Sequence, residues 1–276
     1  MLYNVSIKTF NDGKQILKIF SYPITSVRGT DIEINDKLIY EKYYSYDGEQ
    51  IDIEKHMKNE KEKIIEKEER KRKSEKSSMS RTKQILYDYA YANKWDYFFT
   101  MTFDKKKVDR ENYDDLTKKL KNFIDYYRKQ NPNMKYLLVP ELHEDKKAFH
   151  FHGLFANLDK SRLIDSGKKD KQGRTIYNIG SYNLGWTTVT EVTDSKAVSN
   201  YITKYITKEI IQVTKGKKRY WASKNLETPA LKKIMMTSKE KEILIKNIEK
   251  KITYQKTIEL KNDTYNNNID IIHLKY

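Results

Sequence analysis

The run Trp95-Asp-Tyr-Phe-Phe-Thr-Met-Thr-Phe103 decides how the chain folds. Aromatic and β-forming residues fill it, which suits a strand buried in the middle of a sheet. Upstream, Ile85, Leu86, Tyr89 and Ala90 recur at helical spacing over 81–94, and Asn93-Lys94 ends that helix. Downstream, Leu116, Leu120, Phe123, Ile124 and Tyr127 line one side of a helix over 114–130, with Pro132 just beyond it. Apolar strands follow at 136–140 and 148–156. Residues 165–180 are polar and contain glycine, and they read as a long loop. A strand at 186–192 alternates with threonine, and another helix follows directly. Such an order of helices and strands is α+β, with helices expected on one face of the sheet.

The flanks differ in character. Residues 1–52 read as a small β-rich unit: Tyr3, Val5 and Ile7 alternate with polar residues, Asn11-Asp12-Gly13 forms a hairpin turn, and Ile32 and Ile34 mark a further strand. Residues 53–79 are nearly all Glu, Lys and Arg, as expected of a charged helical linker, with a mobile boundary at 71–78. The main domain spans 80–230. Residues 231–276 read as a basic helical tail, with a charged helix over 239–251 and a tail-like Asn266-Asn-Asn-Ile-Asp.

Composition narrows the chemistry. The 276 residues carry a net charge of +16, which points to a polyanionic partner, nucleic acid first. The absence of cysteine excludes disulfides, Cys-ligated zinc, iron–sulfur clusters and cysteine nucleophiles. The first residues do not read as a signal peptide, and no apolar run approaches membrane-spanning length. A cytoplasmic protein with no membrane partner is the expectation.

Two clusters carry the candidate chemistry. Three of the five histidines lie between 143 and 152. In His150-Phe151-His152 the strand alternation puts both imidazoles on one face. Glu141 ends the preceding strand, and a hairpin brings it alongside as a third ligand. His143 could compete for that place. Two His and one Glu with open positions suit Mg²⁺ or Mn²⁺ and leave room for a phosphate oxygen; Zn²⁺ is chemically possible. A strand-borne His-x-His can also be a hydrogen-bonded structural pair. The second cluster is the tandem Tyr201-Ile-Thr-Lys204-Tyr205-Ile-Thr-Lys208. One uncut helix, capped by Asp194 or Ser195, would put both phenols and both ammonium groups on one arc. A phenol is a weak nucleophile until a cation or a polarised electrophile assists it. Metal and phenol together suit attack on a phosphodiester. Lys215, Lys217, Lys218 and Arg219 form a basic stretch fit for DNA contacts.

These motifs, in this order, resemble the HUH endonucleases that initiate rolling-circle replication of small phages and plasmids. Phe98-Phe-Thr-Met-Thr-Phe103 resembles their first motif, with Met101 where Leu is usual. Glu141 through His150-Phe151-His152-Gly153-Leu154 resembles the second, and the tandem Tyr unit resembles the third in its two-tyrosine form. Gly185-Trp-Thr-Thr-Val and Arg219-Tyr-Trp-Ala-Ser-Lys-Asn-Leu226 add to the likeness. The resemblance covers about residues 80–230. It implies an antiparallel HUH-like sheet, a tyrosine that nicks single-stranded origin DNA and keeps the 5′ phosphate, and a second tyrosine that accepts the strand later. No Gly-x-x-x-x-Gly-Lys pattern occurs, so a host or separate helicase would open the duplex and a polymerase would extend the 3′ end. A conjugative relaxase or a single-stranded-DNA transposase would share this site. A basic nucleic-acid-binding module without chemistry is the reading from a different class.

Overall fold

The computed structural model describes residues 2–25, 60–262 and 265–275. The strand expected at Ile32 and Ile34, and the part of the charged linker before residue 60, lie outside the described residues. The described chain is α+β, with two antiparallel sheets and five α-helices. It divides into two units, residues 1–62 with 229–276, and residues 63–228.

The larger unit holds α1 (Glu60–Ala92, apart from its first residues), β3 (Tyr97–Phe103), α2 (Tyr113–Gln130), β4 (Lys135–Leu142), β5 (Phe149–Ala156), β6 (Leu163–Lys169), β7 (Thr175–Ile179), β8 (Gly185–Glu191), α3 (Ser195–Thr203), α4 (Lys208–Val213) and β9 (Trp221–Ala222). The seven strands lie in the order β6-β7-β8-β3-β5-β4-β9. The strand read from the sequence as central, β3, pairs with both β5 and β8. Its side chains alternate between buried and half-buried. Phe99, Met101 and Phe103 enter one core with Phe151, Phe155 and the buried side of α2, which supplies Leu116, Leu120 and Ile124. Asn112 caps α2 by accepting a hydrogen bond from the Asp115 amide.

The other side chains of the sheet face a second core. Leu137, Val139 and Leu154 pack there with Leu86 and Ala90 of α1, Ile202 of α3 and Ile211 of α4. Helices therefore cover both faces, not one. The strands alternate apolar residues on both sides, so each side needs a lid. β4 and β5 approach closely at Gly153, where an added Cβ would meet the Leu137 carbonyl oxygen at 2.7 Å and collide with Leu138 Cδ2.

Two more expectations are corrected in this unit. Residues 71–78 form no boundary, because α1 runs through them without a break. Residues 165–180 are largely the hairpin β6–β7, with Gly167 at φ 69° and Gly173 at φ 79° allowing its bulge and turn.

The smaller unit contains β1 (Leu2–Thr9), β2 (Gln15–Thr25), β10 (Ala230–Ile234), α5 (Ser238–Ile248), β11 (Ile252–Asn262) and β12 (Tyr265–Leu274). Its strand order is β10-β1-β2-β12-β11. The β1–β2 turn has Gly13 at φ 81°, as Asn-Asp-Gly implies. Val5, Leu17, Ile19, Ile272 and Leu274 form the core with Ile248 of α5. A capping box between Thr237 and Glu240 starts that helix. The expected C-terminal helix is present. The asparagine-rich stretch after it is not a tail but part of β12, which pairs with β2 through Ile269 and Phe20. Among the described residues, no helix is long and apolar enough to cross a membrane.

Candidate metal and tyrosine site

Cross-strand register builds the site. Glu141 of β4 lies directly opposite His150 of β5, and Val139 lies opposite His152. Directly opposed residues share a face, so the carboxylate and both imidazoles converge. Glu141 Oε2 accepts hydrogen bonds from His150 Nε2 at 2.6 Å and His152 Nε2 at 2.5 Å. The three ligand atoms lie within 4.8 Å of one another, a group that could hold a metal ion. Glu141, and not His143, completes it. The His143 ring packs on His150 at 4.3 Å between centroids, with its Nε2 buried and without a hydrogen-bond partner among the described residues.

Electrostatics suit a cation here. Burial pushes the Glu141 carboxyl up, but the hydrogen bonds from His150 and His152 outweigh this and hold it at about 2. Burial lowers the pKa of His152, so its imidazole is neutral at neutral pH, the form that ligates a metal. Two imidazole nitrogens and one carboxylate oxygen fit a divalent ion, and three donors leave coordination positions open.

Thr100 of β3 tunes this group. It pairs across the strands with His152, and its Oγ1 lies 2.9 Å from His152 Nδ1. The hydroxyl can accept from Nδ1–H, which frees the Nε2 lone pair for an ion. Thr100→Val keeps the β-branched shape and removes that partner. We expect it to weaken Mn²⁺ binding about 10–100-fold, measured by titration calorimetry, with Thr100→Ser close to the parent.

The tandem Tyr unit is not one helix. Asp194 caps α3 by accepting from the Ala197 amide, but α3 ends at Thr203. The Thr207 side chain then accepts from the Ile210 amide and starts α4. The second threonine of the repeat thus acts as a cap, which breaks the expected single arc and separates the tyrosines' settings. Tyr201 is 43% exposed, whereas Tyr205 is 7% exposed. The Tyr205 ring lies flat on the His152 imidazole, 3.9 Å between centroids and 10° between planes. Tyr201 meets Tyr205 edge-on at 5.4 Å. Phe98 of β3 packs against both tyrosines and His152, a contact that only the strand register reveals. Burial, then the hydrogen bond with Tyr201, push the Tyr205 phenol well above its usual range. Lys204 Nζ lies 5.2 Å from the centre of the Tyr201 ring, and Lys208 opens α4 as an exposed residue.

The basic stretch after α4 is mixed. Lys215, Lys217 and Lys218 are exposed, and Lys217 Nζ pairs with Asp114 at 2.7 Å. Arg219 is turned inward instead. Its guanidinium donates to Ser78 Oγ at 2.6 Å and Thr214 Oγ1 at 3.1 Å, tying α1 to the end of α4.

A family model for replication-associated proteins of the ORF2 type matches residues 96–210. Comparison with curated proteins and with solved structures gives no match. The matched segment contains β3, the Glu141–His150–His152 group and both tyrosines. In that segment the chain is similar to replication-associated proteins, and the match supports a role in replication.

Proposed function

We propose that the protein is a replication initiator of the HUH type with two tyrosines, which nicks one strand of origin DNA and rejoins ends when rolling-circle replication terminates. One observation carries this reading: a phenol is stacked on a candidate metal ligand, with a second, exposed phenol beside it, inside the segment that matches replication-associated proteins. Glu141, His150 and His152 would hold Mg²⁺ or Mn²⁺, and Thr100 orients His152. Bound there, a divalent ion supplies charge stabilisation for the scissile phosphate. The Tyr201 oxygen attacks phosphorus as its proton leaves. The P–O3′ bond breaks, the departing oxygen takes up a proton, and a 5′-phosphotyrosine and a free 3′-OH result. Lys204, above the Tyr201 ring, favours the charge that develops on the phenol oxygen. Lys208 adds positive charge beyond it, and Lys215, Lys217 and Lys218 hold backbone phosphates.

Attack of a 3′-OH on the phosphotyrosine reverses the step and seals a strand. Tyr205 serves the second transfer once its ring leaves His152. A host or separate helicase opens the duplex and a polymerase extends the 3′-OH, which places the reaction in the cytoplasm.

The test is incubation with a labelled single-stranded library and Mn²⁺, followed by denaturing electrophoresis. A protein–DNA band of shifted mass is expected, dependent on the ion. Tight, salt-sensitive binding with no such band at any metal concentration would instead indicate a module that only holds DNA.

A further inference from the structure

We propose that the open sheet face beside the Glu141–His150–His152 group is a seat for single-stranded DNA in which Trp186 stacks on a base near the scissile phosphate. The proposal rests on the nicking reading and adds a residue to it. Trp186 of β8 pairs with Thr102 of β3, Thr102 pairs with His150, and His150 pairs with Glu141. These four residues form one row on one face of the sheet. Strands lie about 4.8 Å apart, so Trp186 stands about 10 Å from the His150 strand, roughly one or two nucleotides away.

The face is covered at one end and open at the other. In the row through Thr190, Phe98, Leu154 and Leu137, Phe98 packs under Tyr201. In the row of the metal-capable group, Trp186 is 62% exposed. Between them, Thr188 is exposed and small, so a flexible strand can lie flat.

The indole is also held firmly. At Gly185, a Cβ would collide with the Thr102 carbonyl oxygen, so β8 hugs β3 directly before Trp186. A rigid aromatic plate loses little freedom when a base stacks on it. Charge complements the plate. Phe103 pairs with Gly185, and the exposed Lys105, Lys106 and Lys107 follow Phe103 at the same end of the sheet. Lys107 Nζ donates to the Asn183 carbonyl at 2.9 Å, next to the start of β8. An exposed indole beside lysines, in line with a phosphate-directed centre, is the chemistry that takes a single strand: a π-face for a base and cations for its backbone.

The other two tryptophans are 4% and 9% exposed, so fluorescence quenching by a bound strand reports on Trp186. The experiment titrates metal-free full-length protein with an oligo(dT) strand. Quenching is expected in the parent. Trp186→Ala should bind about 5- to 150-fold more weakly with little quenching, and Trp186→Tyr should recover most of the affinity. Mn²⁺ affinity should not change in either variant, which a general loss of structure would not allow. Parental affinity in Trp186→Ala, or no recovery in Trp186→Tyr, overturns the proposal. A parent that is quenched by oligo(dT) yet never forms a covalent adduct would sink the nicking reading and leave this seat standing.

Discussion

A protein carrying both Tyr201→Phe and Tyr205→Phe forms no covalent adduct with single-stranded DNA. The loss should be about 10⁴-fold or more on denaturing gels, because no phenol oxygen remains near the metal-capable group. Folding should survive, since Phe keeps each ring and its packing on His152 and Phe98. The single variants separate the steps. Tyr201 is 43% exposed and open to DNA, so Tyr201→Phe should remove most first cleavage. Tyr205 is stacked on His152, so Tyr205→Phe should still nick but fail to transfer the strand onward. If the double variant still forms an adduct, neither tyrosine is the nucleophile.

The second large effect is His152→Ala. It removes a ligand and also the surface on which Tyr205 rests. A bound cation contributes several kcal/mol of charge stabilisation at phosphorus, so cleavage should fall by about 10³-fold or more. Mn²⁺ binding, followed by calorimetry, should be lost with it. Glu141→Gln should fall in the same direction, since its carboxylate is replaced by a neutral amide that leaves the ion's charge less balanced. Cleavage at the parental rate in His152→Ala would exclude the metal-assisted route.

Much of this site follows from local pattern. The alternation of His150-Phe151-His152 is a property of three residues, and the hairpin that delivers Glu141 is short enough to read along the chain. The same holds for β3 and α2, whose apolar spacing is strong. Other features depend on partners that the pattern does not name. Thr100, Phe98 and Trp186 acquire their roles only through the register of β3 with β5 and β8. The break after Thr203 is hidden because a capping threonine and a helical threonine look alike in a perfect repeat. The β6–β7 hairpin reads as loop because its residues are small, charged and half-exposed, as strands near a sheet edge can be. β12 reads as a tail because asparagines fill its start, and the strand it joins lies far back along the chain.

That last pairing has a consequence for biogenesis. Every strand of the larger unit is synthesised before β12, so its sheet can close while later residues are still being made. The small sheet cannot: β2 must wait for β12, whose Ile269 sits opposite Phe20. On the ribosome the two units should therefore mature in sequence, with β1 and β2 held as an unfinished edge throughout. A release of nascent chains before β12 emerges should leave that edge sticky and the larger unit already formed.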